Sequence, residues 1–352
     1  TDASIWGFHC SACQRDIMSF ARQLLGTLML IGVLPSAGHA KVSLQGHEGP
    51  LSVRNVNPVV QLYGIPRVLG AQVLSAGVSE MSFNLEVANS FKLQTRQGVQ
   101  AVLDGETWVA SYQMRRGWGE RFEWGVEIPL IRHTGGIMDG PIDEFHSLFG
   151  FPDGNRSSVP RGRLDYQLVA DGLVYADIDS SVSTLGDLRG FLGVQMIKAD
   201  QHHFMVRGQV KIPTGKVDKL SGSQGTDLSV WGEYQYNVQT RLLDFRLTAA
   251  AGVSRLGQGK LMPDQQEKWV GFGHLGVYFP VHARFAVMAQ VDAHTDVLDT
   301  SNPMVAQGGW LGSIGGRIGL TRKTWLDLAV VEDLYSESAS DVVFQIKLGS
   351  RY

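Results

Sequence analysis

The chain has 352 residues, 43% of them hydrophobic and 18% charged, with a formal net charge of -3. That balance excludes a strongly basic nucleic-acid binder, and a mean hydropathy close to neutral excludes a bundle of membrane helices. The 42 Gly and a charged fraction below the globular average suit an all-β protein with many tight turns.

Residues 1–17 hold both cysteines, Cys10 and Cys13. Their spacing can signal a redox or zinc site, but no second ligand pair lies nearby. Met18 is a natural start. Arg22 then supplies a positive charge, Leu24 to Leu34 form a short apolar run, and Pro35 and Ser36 break it. Gly38-His39-Ala40 places small residues where a signal peptidase needs them. Residues 18–40 therefore read as a cleaved secretory signal peptide, with a run too short to span a bilayer. Residues 1–17 read as an upstream translation artefact, the alternative being an extended leader. A mature chain without cysteine suits an oxidising periplasm.

Residues 41–76 carry Arg54, Asn55, Asn57 and Pro58, then Tyr63-Gly64-Ile65-Pro66. Two readings stay open: a plug inside a lumen, with Arg54 and Asn57 bonding to wall charges, or a periplasmic tail or early strand.

From residue 77 onward the side chains alternate. Met81, Phe83, Leu85, Val87, Phe91 and Leu93 oppose Ser82, Asn84, Glu86, Ala88, Ser90 and Lys92, which is the period of a strand. The pattern recurs around Phe122–Leu130, Phe204–Ile212, Leu243–Val253, Phe285–Ala293 and Leu326–Leu334. Weaker versions cover 100–115, 187–199, 226–238, 268–279, 304–321 and 341–352. The total is about 12, an even number as single-chain bacterial barrels have. After the first connector, long and short connectors alternate, as extracellular loops and periplasmic turns do, which puts both ends of the barrel on the periplasmic side. Phe344, Ile346, Leu348 and Tyr352 form a closing aromatic-ended strand of the kind that serves as an assembly signal. A soluble two-sheet sandwich also alternates. A ring of 12 strands, however, is too wide for side chains to fill, so polar residues inside and apolar residues toward lipid are self-consistent. The expected fold is an all-β transmembrane antiparallel barrel over 77–352, located in the outer membrane.

The lumen would be lined by Glu86, Glu123, Glu127, Arg207, Lys211, Glu233, Asp244, Arg246, Asp292, Arg317, Asp327 and Lys347. These would either set the selectivity of an aqueous path or merely pair with one another. Trp269, Tyr278, Trp325, Tyr335 and Tyr352, near strand ends, fit interfacial girdles, although each could equally be core. The long connector 134–186 is read as an extracellular lid. It contains a short amphipathic helix at 141–150, with Asp143 and His146, then Arg156, then two runs flanking Asp171-Gly172, a hairpin signal. Those two runs could instead add two spanning strands, making 14. His146-Ser147 invites a hydrolase reading, but adjacent residues are not placed for proton transfer and no orienting acid is evident. His274 and His294 face the lumen alone and read as structural.

The stretches GPLSVRNVNPVVQLYGIP, IDEFHSLFGFPDGNR and VKIPTG resemble a family of Gram-negative outer-membrane barrels designated only as a domain of unknown function, DUF3187. The resemblance covers about 49–352 and implies fold and location, with no chemistry attached. The expected function is a pore or channel for a small solute with a loop lid. The alternatives are a lipid-acting enzyme of the outer membrane, or a structural barrel with a blocked lumen. No cofactor, metal or nucleic-acid motif is present. The implied partners are outer-membrane lipid and lipopolysaccharide, and the barrel-assembly machinery.

Overall fold

The computed structural model describes residues 44, 48–96, 98–138, 140, 162–240, 244–300, 307–335 and 338–352. The expected signal peptide and the helix expected at 141–150 lie outside them, as do Asp143, His146 and Arg156. The described residues form one antiparallel sheet. Its strands are β1 (Ser79–Arg96), β2 (Val99–Trp118), β3 (Phe122–Thr134), β4 (Asp165–Ala170), β5 (Leu173–Ile178), β6 (Val182–Leu185), β7 (Leu188–Lys198), β8 (His202–Ile212), β9 (Asp227–Gln239), β10 (Asp244–Arg255), β11 (Trp269–His282), β12 (Phe285–His294), β13 (Trp310–Gly319), β14 (Thr324–Asp333) and β15 (Val342–Arg351). β1–β3 and β7–β15 pair in succession, and β15 pairs back onto β1, with Glu80 opposite Arg351 and Asn89 opposite Val342. The result is a closed barrel of 12 strands, which leaves no unpaired backbone edge in lipid.

The ends of β1 and β15 meet at one rim. By strand order, β2–β3, β7–β8, β9–β10, β11–β12 and β13–β14 are joined by short connections at that rim, while β3, β8, β10, β12 and β14 end at the other, where the longer connections leave. We call the first rim, which carries the short turns, periplasmic and the second extracellular, after the usual arrangement of such barrels. The first connector, at 97–98, breaks the long–short rhythm because β1 and β2 overrun the wall. They have 18 and 20 residues, against roughly 9–11 needed to cross.

The spare length of β2 explains why the barrel stops at 12. Val99–Asp104 pairs with Ala170–Asp165 of β4, and β4 pairs with β5. The runs flanking Asp171-Gly172 thus form a hairpin outside the ring rather than two more spanning strands. Asp171 and Gly172 have φ of 51° and 77°, as a two-residue primed turn demands.

Facing is set by parity. Phe83, Ile128, Leu130, Leu247, Leu328, Phe344, Ile346 and Leu348 are exposed on the outside, and Glu86, Glu123, Arg207 and Asp327 of the opposite parity are buried. Two expected girdle aromatics depart from the girdle. Tyr278 shares parity with His274 and Trp325 with Asp327, and both rings point inward, each only 2% exposed. There they stack under guanidiniums: Arg246 over Tyr278 at 5.9 Å, and Arg317 and Arg351 over Trp325 at 5.7 and 5.8 Å. Trp269, Tyr335 and Tyr352 are exposed.

Candidate functional site: the barrel lumen

Residues 48–76 form almost no regular structure, yet Leu51–Val68 are buried. Their path follows from their partners. Arg246, near the periplasmic end of β10, donates from Nη2 to Glu48 at 2.9 Å. Higher up, Leu51 N–H donates to Gln290 at 2.8 Å, and Gln345 donates to Ser52 O at 2.6 Å. Asn55 Nδ2 lies 3.0 Å from His294 Nε2 and 3.1 Å from Ser338 O, both at the extracellular side. Asn57 Oδ1 accepts from Val59 N–H at 2.9 Å, an Asx-type bond just ahead of the short 3-10 turn Val60–Leu62. The chain then descends. Gly64 N–H donates to Asp227 at 2.8 Å, Leu69 N–H reaches Glu233, Gly70 O accepts from Arg207 at 2.8 Å, and Leu74 N–H reaches Glu123. Ala76 bridges to Gly117 at the periplasmic end of β2, where β1 begins. The segment is thus a hairpin-shaped excursion through the lumen, entering and leaving at the periplasmic rim. Arg67 ties its two limbs by donating to Ser52 O.

Two glycines make the fit possible. A Cβ at Gly64 would lie 2.7 Å from that of Asp227, and one at Gly70, where φ is +96°, would lie 3.2 Å from Gly49 Cα. Only a residue without a side chain allows that approach and that backbone angle.

The wall charges are gathered into networks around this segment. Glu127 Oε1 lies 3.3 Å from Arg54, 3.4 Å from Arg189 and 3.7 Å from Arg67, and Arg67 also clasps both oxygens of Glu86. Glu123 takes Arg207 at 2.8 Å and Arg115 at 3.0 Å, and Arg207 continues to Glu233 at 2.6 Å. Lys211 lies 2.5 Å from Asp187 and 3.2 Å from Asp227, and it donates to Leu62 O at 2.9 Å. Arg317 grips Asp327 at 2.6 and 2.7 Å. Every one of these ions is nearly enclosed, so each depends on its partner.

The extracellular mouth is closed by apolar packing. Val59, Val60, Leu62 and Tyr63 at the apex of the segment join one cluster with Leu103 of β2, Tyr166 and Leu168 of β4, Ile178 of β5, and Leu220, Leu261, Met262 and Leu298 of the loops. Glu106 of β2, fully buried, pins the start of the long connector. It accepts from Ile137 N–H at 2.7 Å, Met138 N–H at 2.5 Å and Trp108 Nε1 at 2.8 Å.

Of the expected lumenal residues, Glu86, Glu123, Glu127, Arg207, Lys211, Glu233, Arg246, Arg317, Asp327 and Lys347 are buried on the inner face, with Asp292 half-buried. Asp244, the first residue of β10, is exposed at the rim and pairs with Arg246. Arg54 and Asn57 are buried; Arg54 meets wall Glu127 as expected, whereas among the described residues the Asn57 side chain bonds only to the backbone of its own segment and meets no wall charge. Arg67, Arg115, Arg189 and Asp187 complete the networks and were missed by sequence reasoning. Arg115 and Arg189 carry the inward parity of β2 and β7, so counting along those strands would have found them. Nothing in the sequence flags Arg67.

His274 and His294 are not alone. His294 meets Asn55, as above. His274 Nδ1 lies 2.8 Å from Asp292 and its Nε2 2.9 Å from Thr248 Oγ1. Hydroxyl, imidazole and carboxylate in a row is a nucleophile's arrangement, but the His274 side chain is 0% exposed. Enclosed in this way, it holds three strands together. No cluster of His, Cys, Asp and Glu among the described residues is arranged to bind a metal ion.

A protein-family profile, described as a protein of unknown function (DUF3187), matches residues 27–352. The chain belongs to the DUF3187 family. No curated protein sequence matches it. Among solved structures, the COG4313 outer-membrane channel from Pseudomonas putida F1 superposes with a TM-score of 0.53 at 11% identity, over 80% of this chain and 98% of that one. The NanC porin gives 0.44 at 8% identity, over 76% and 97%. The CymD monoaromatic hydrocarbon channel gives 0.39 at 9%, over 89% and 98%. The first likeness is one of fold, and with the closed ring and its apolar outer face it makes this DUF3187 member an integral protein of the outer membrane.

Proposed function

We propose that the protein is a channel for a small polar solute, closed at rest by residues 48–76 and capped by the 134–186 loop. The observation that carries this reading is how the segment is held. Its backbone is bonded mostly by single side chains from many strands, rather than by a continuous ladder. Water can replace such contacts one at a time, so the segment can leave without unzipping the wall. Interleaved charges of both signs on the wall suit a hydrated, polar path. That the Pseudomonas protein is described as a channel agrees with this reading. In it the chain has no catalytic task, its outer face meets lipid and lipopolysaccharide, and Phe344, Ile346, Leu348 and Tyr352 address the barrel-assembly machinery.

Planar-bilayer recording tests the proposal. The mature chain is expected to give rare, brief openings, and a variant lacking residues 50–74 a larger and steadier conductance. Flat traces from both would sink it and favour a purely structural barrel.

A further inference from the structure

Most lumenal charges are matched. The series Arg351–Glu80–Arg115–Glu123–Arg207–Glu233 alternates in sign from strand to strand. Lys347 breaks the rule. It faces inward from β15 at 7% exposure, and among the described residues no hydrogen bond or ion pair closes on its ammonium group. Its cross-strand neighbour Asp327 already gives both oxygens to Arg317. Glu80, on the same face, is already shared between Arg115 and Arg351. Across this series, the Arg317–Asp327 pair and Lys347, five cations therefore face four carboxylates.

On the other side of Lys347 the register sets Asn84 of β1, and beyond Asn84 it sets Ser111 of β2. Asn84 is 4% exposed and Ser111 2%. Neither amide atom of Asn84 nor the hydroxyl of Ser111 has a hydrogen-bond partner among the described residues. Directly opposed side chains sit with Cβ atoms about 4.5–5.5 Å apart, so Lys347, Asn84 and Ser111 spring from one short row of the inner face. Buried polar groups require partners, and a buried excess charge requires a counter-charge. Water would answer the first need but not the second.

We propose that Lys347, Asn84 and Ser111 bind a single small inorganic anion of chloride size. The ammonium supplies the charge, and the amide N–H and hydroxyl complete the shell. Near-complete enclosure of all three side chains excludes a larger organic acid.

Crystals of the full chain soaked in bromide test the site by anomalous scattering. A bromide peak in contact with Lys347 Nζ is expected, lost in Lys347→Met and kept in Lys347→Arg. Asn84→Leu, which removes one donor and spares the charge, is expected to weaken the same peak and stands in if Lys347→Met fails to fold. Bromide on the outer surface alone, an adventitious ion only, would overturn the assignment. A lumenal peak unchanged in Lys347→Met or in Asn84→Leu would overturn it too. The measurement needs no conductance, so a barrel that never opens leaves it intact.

Discussion

Glu127→Gln tests whether the lumenal segment is held by charge. One oxygen of Glu127 faces Arg54, Arg189 and Arg67 at 3.3, 3.4 and 3.7 Å, and the first and last of these sit on the ascending and descending limbs. Glutamine keeps the shape and removes the charge. Breaking a buried pair by removing one partner costs roughly 3–5 kcal/mol. Arg67 keeps Glu86, so the lower figure is the fair one. At about 1.4 kcal/mol per factor of ten, about 3 kcal/mol raises the displaced population roughly a hundredfold. Ser52→Cys reports that population, since Ser52 is 4% exposed and can react with an impermeant maleimide only when the segment has moved. Cys10 and Cys13 are replaced beforehand. When reclosing outruns labelling, the rate follows the open fraction. The expected ratio of rates, Glu127→Gln over parent, is about a hundred. Equal rates, with both barrels showing the same heat-modifiable gel shift, would refute the electrostatic latch.

Gly64→Leu drives a side chain into Asp227, whose Cβ lies 2.7 Å from the new one; the apex is expected to lift, with faster Ser52→Cys labelling than in the parent. Glu106→Ala strips three N–H donors of their acceptor, a loss of about 1–3 kcal/mol, and trypsin is expected to cut faster within 134–163. Leu328→Arg puts a charge on a lipid-facing position that is 43% exposed, and unfolding in lipid vesicles is expected to show a loss of roughly 2–4 kcal/mol if that position lies near the midplane.

Strand number and facing were legible because a membrane wall obeys one rule, with lipid on one parity and lumen on the other. Tyr278 and Trp325 show how far the rule reaches. Their closeness to strand ends suggested girdles, yet counting in twos from His274 and Asp327 puts both rings inside. The mouth was less legible. The Asp171-Gly172 turn gave the hairpin, but only the overrun of β2 shows that the hairpin rides on a strand end rather than entering the ring. The path of residues 48–76 was not legible, because its bonds are with residues from Glu86 to Gln345 and it has no period of its own. Arg54 and Asn57 signalled polar partners without saying which.

The segment and the wall solve each other's problem. Irregular backbone at membrane depth is tolerated only where protein or water satisfies its polar groups, and the inner wall supplies Gln290, Gln345, Asp227, Glu233, Glu123, Arg207 and Lys211 for that purpose. Conversely, Glu127 answers three guanidiniums, two of which exist only because the segment is in place. Removing the segment therefore strips the wall of cations as well as of bulk. The emptied lumen keeps Glu86 and Glu127 with Arg189, while it loses Arg54 and Arg67. An open state produced by deletion should accordingly favour cations at mid-height more than one produced by Glu127→Gln. In that variant both arginines remain and one carboxylate is gone. Reversal potentials in a potassium chloride gradient are expected to differ in that direction between the two variants. Identical values would mean that the charges lining the segment's path do not meet the permeating ions.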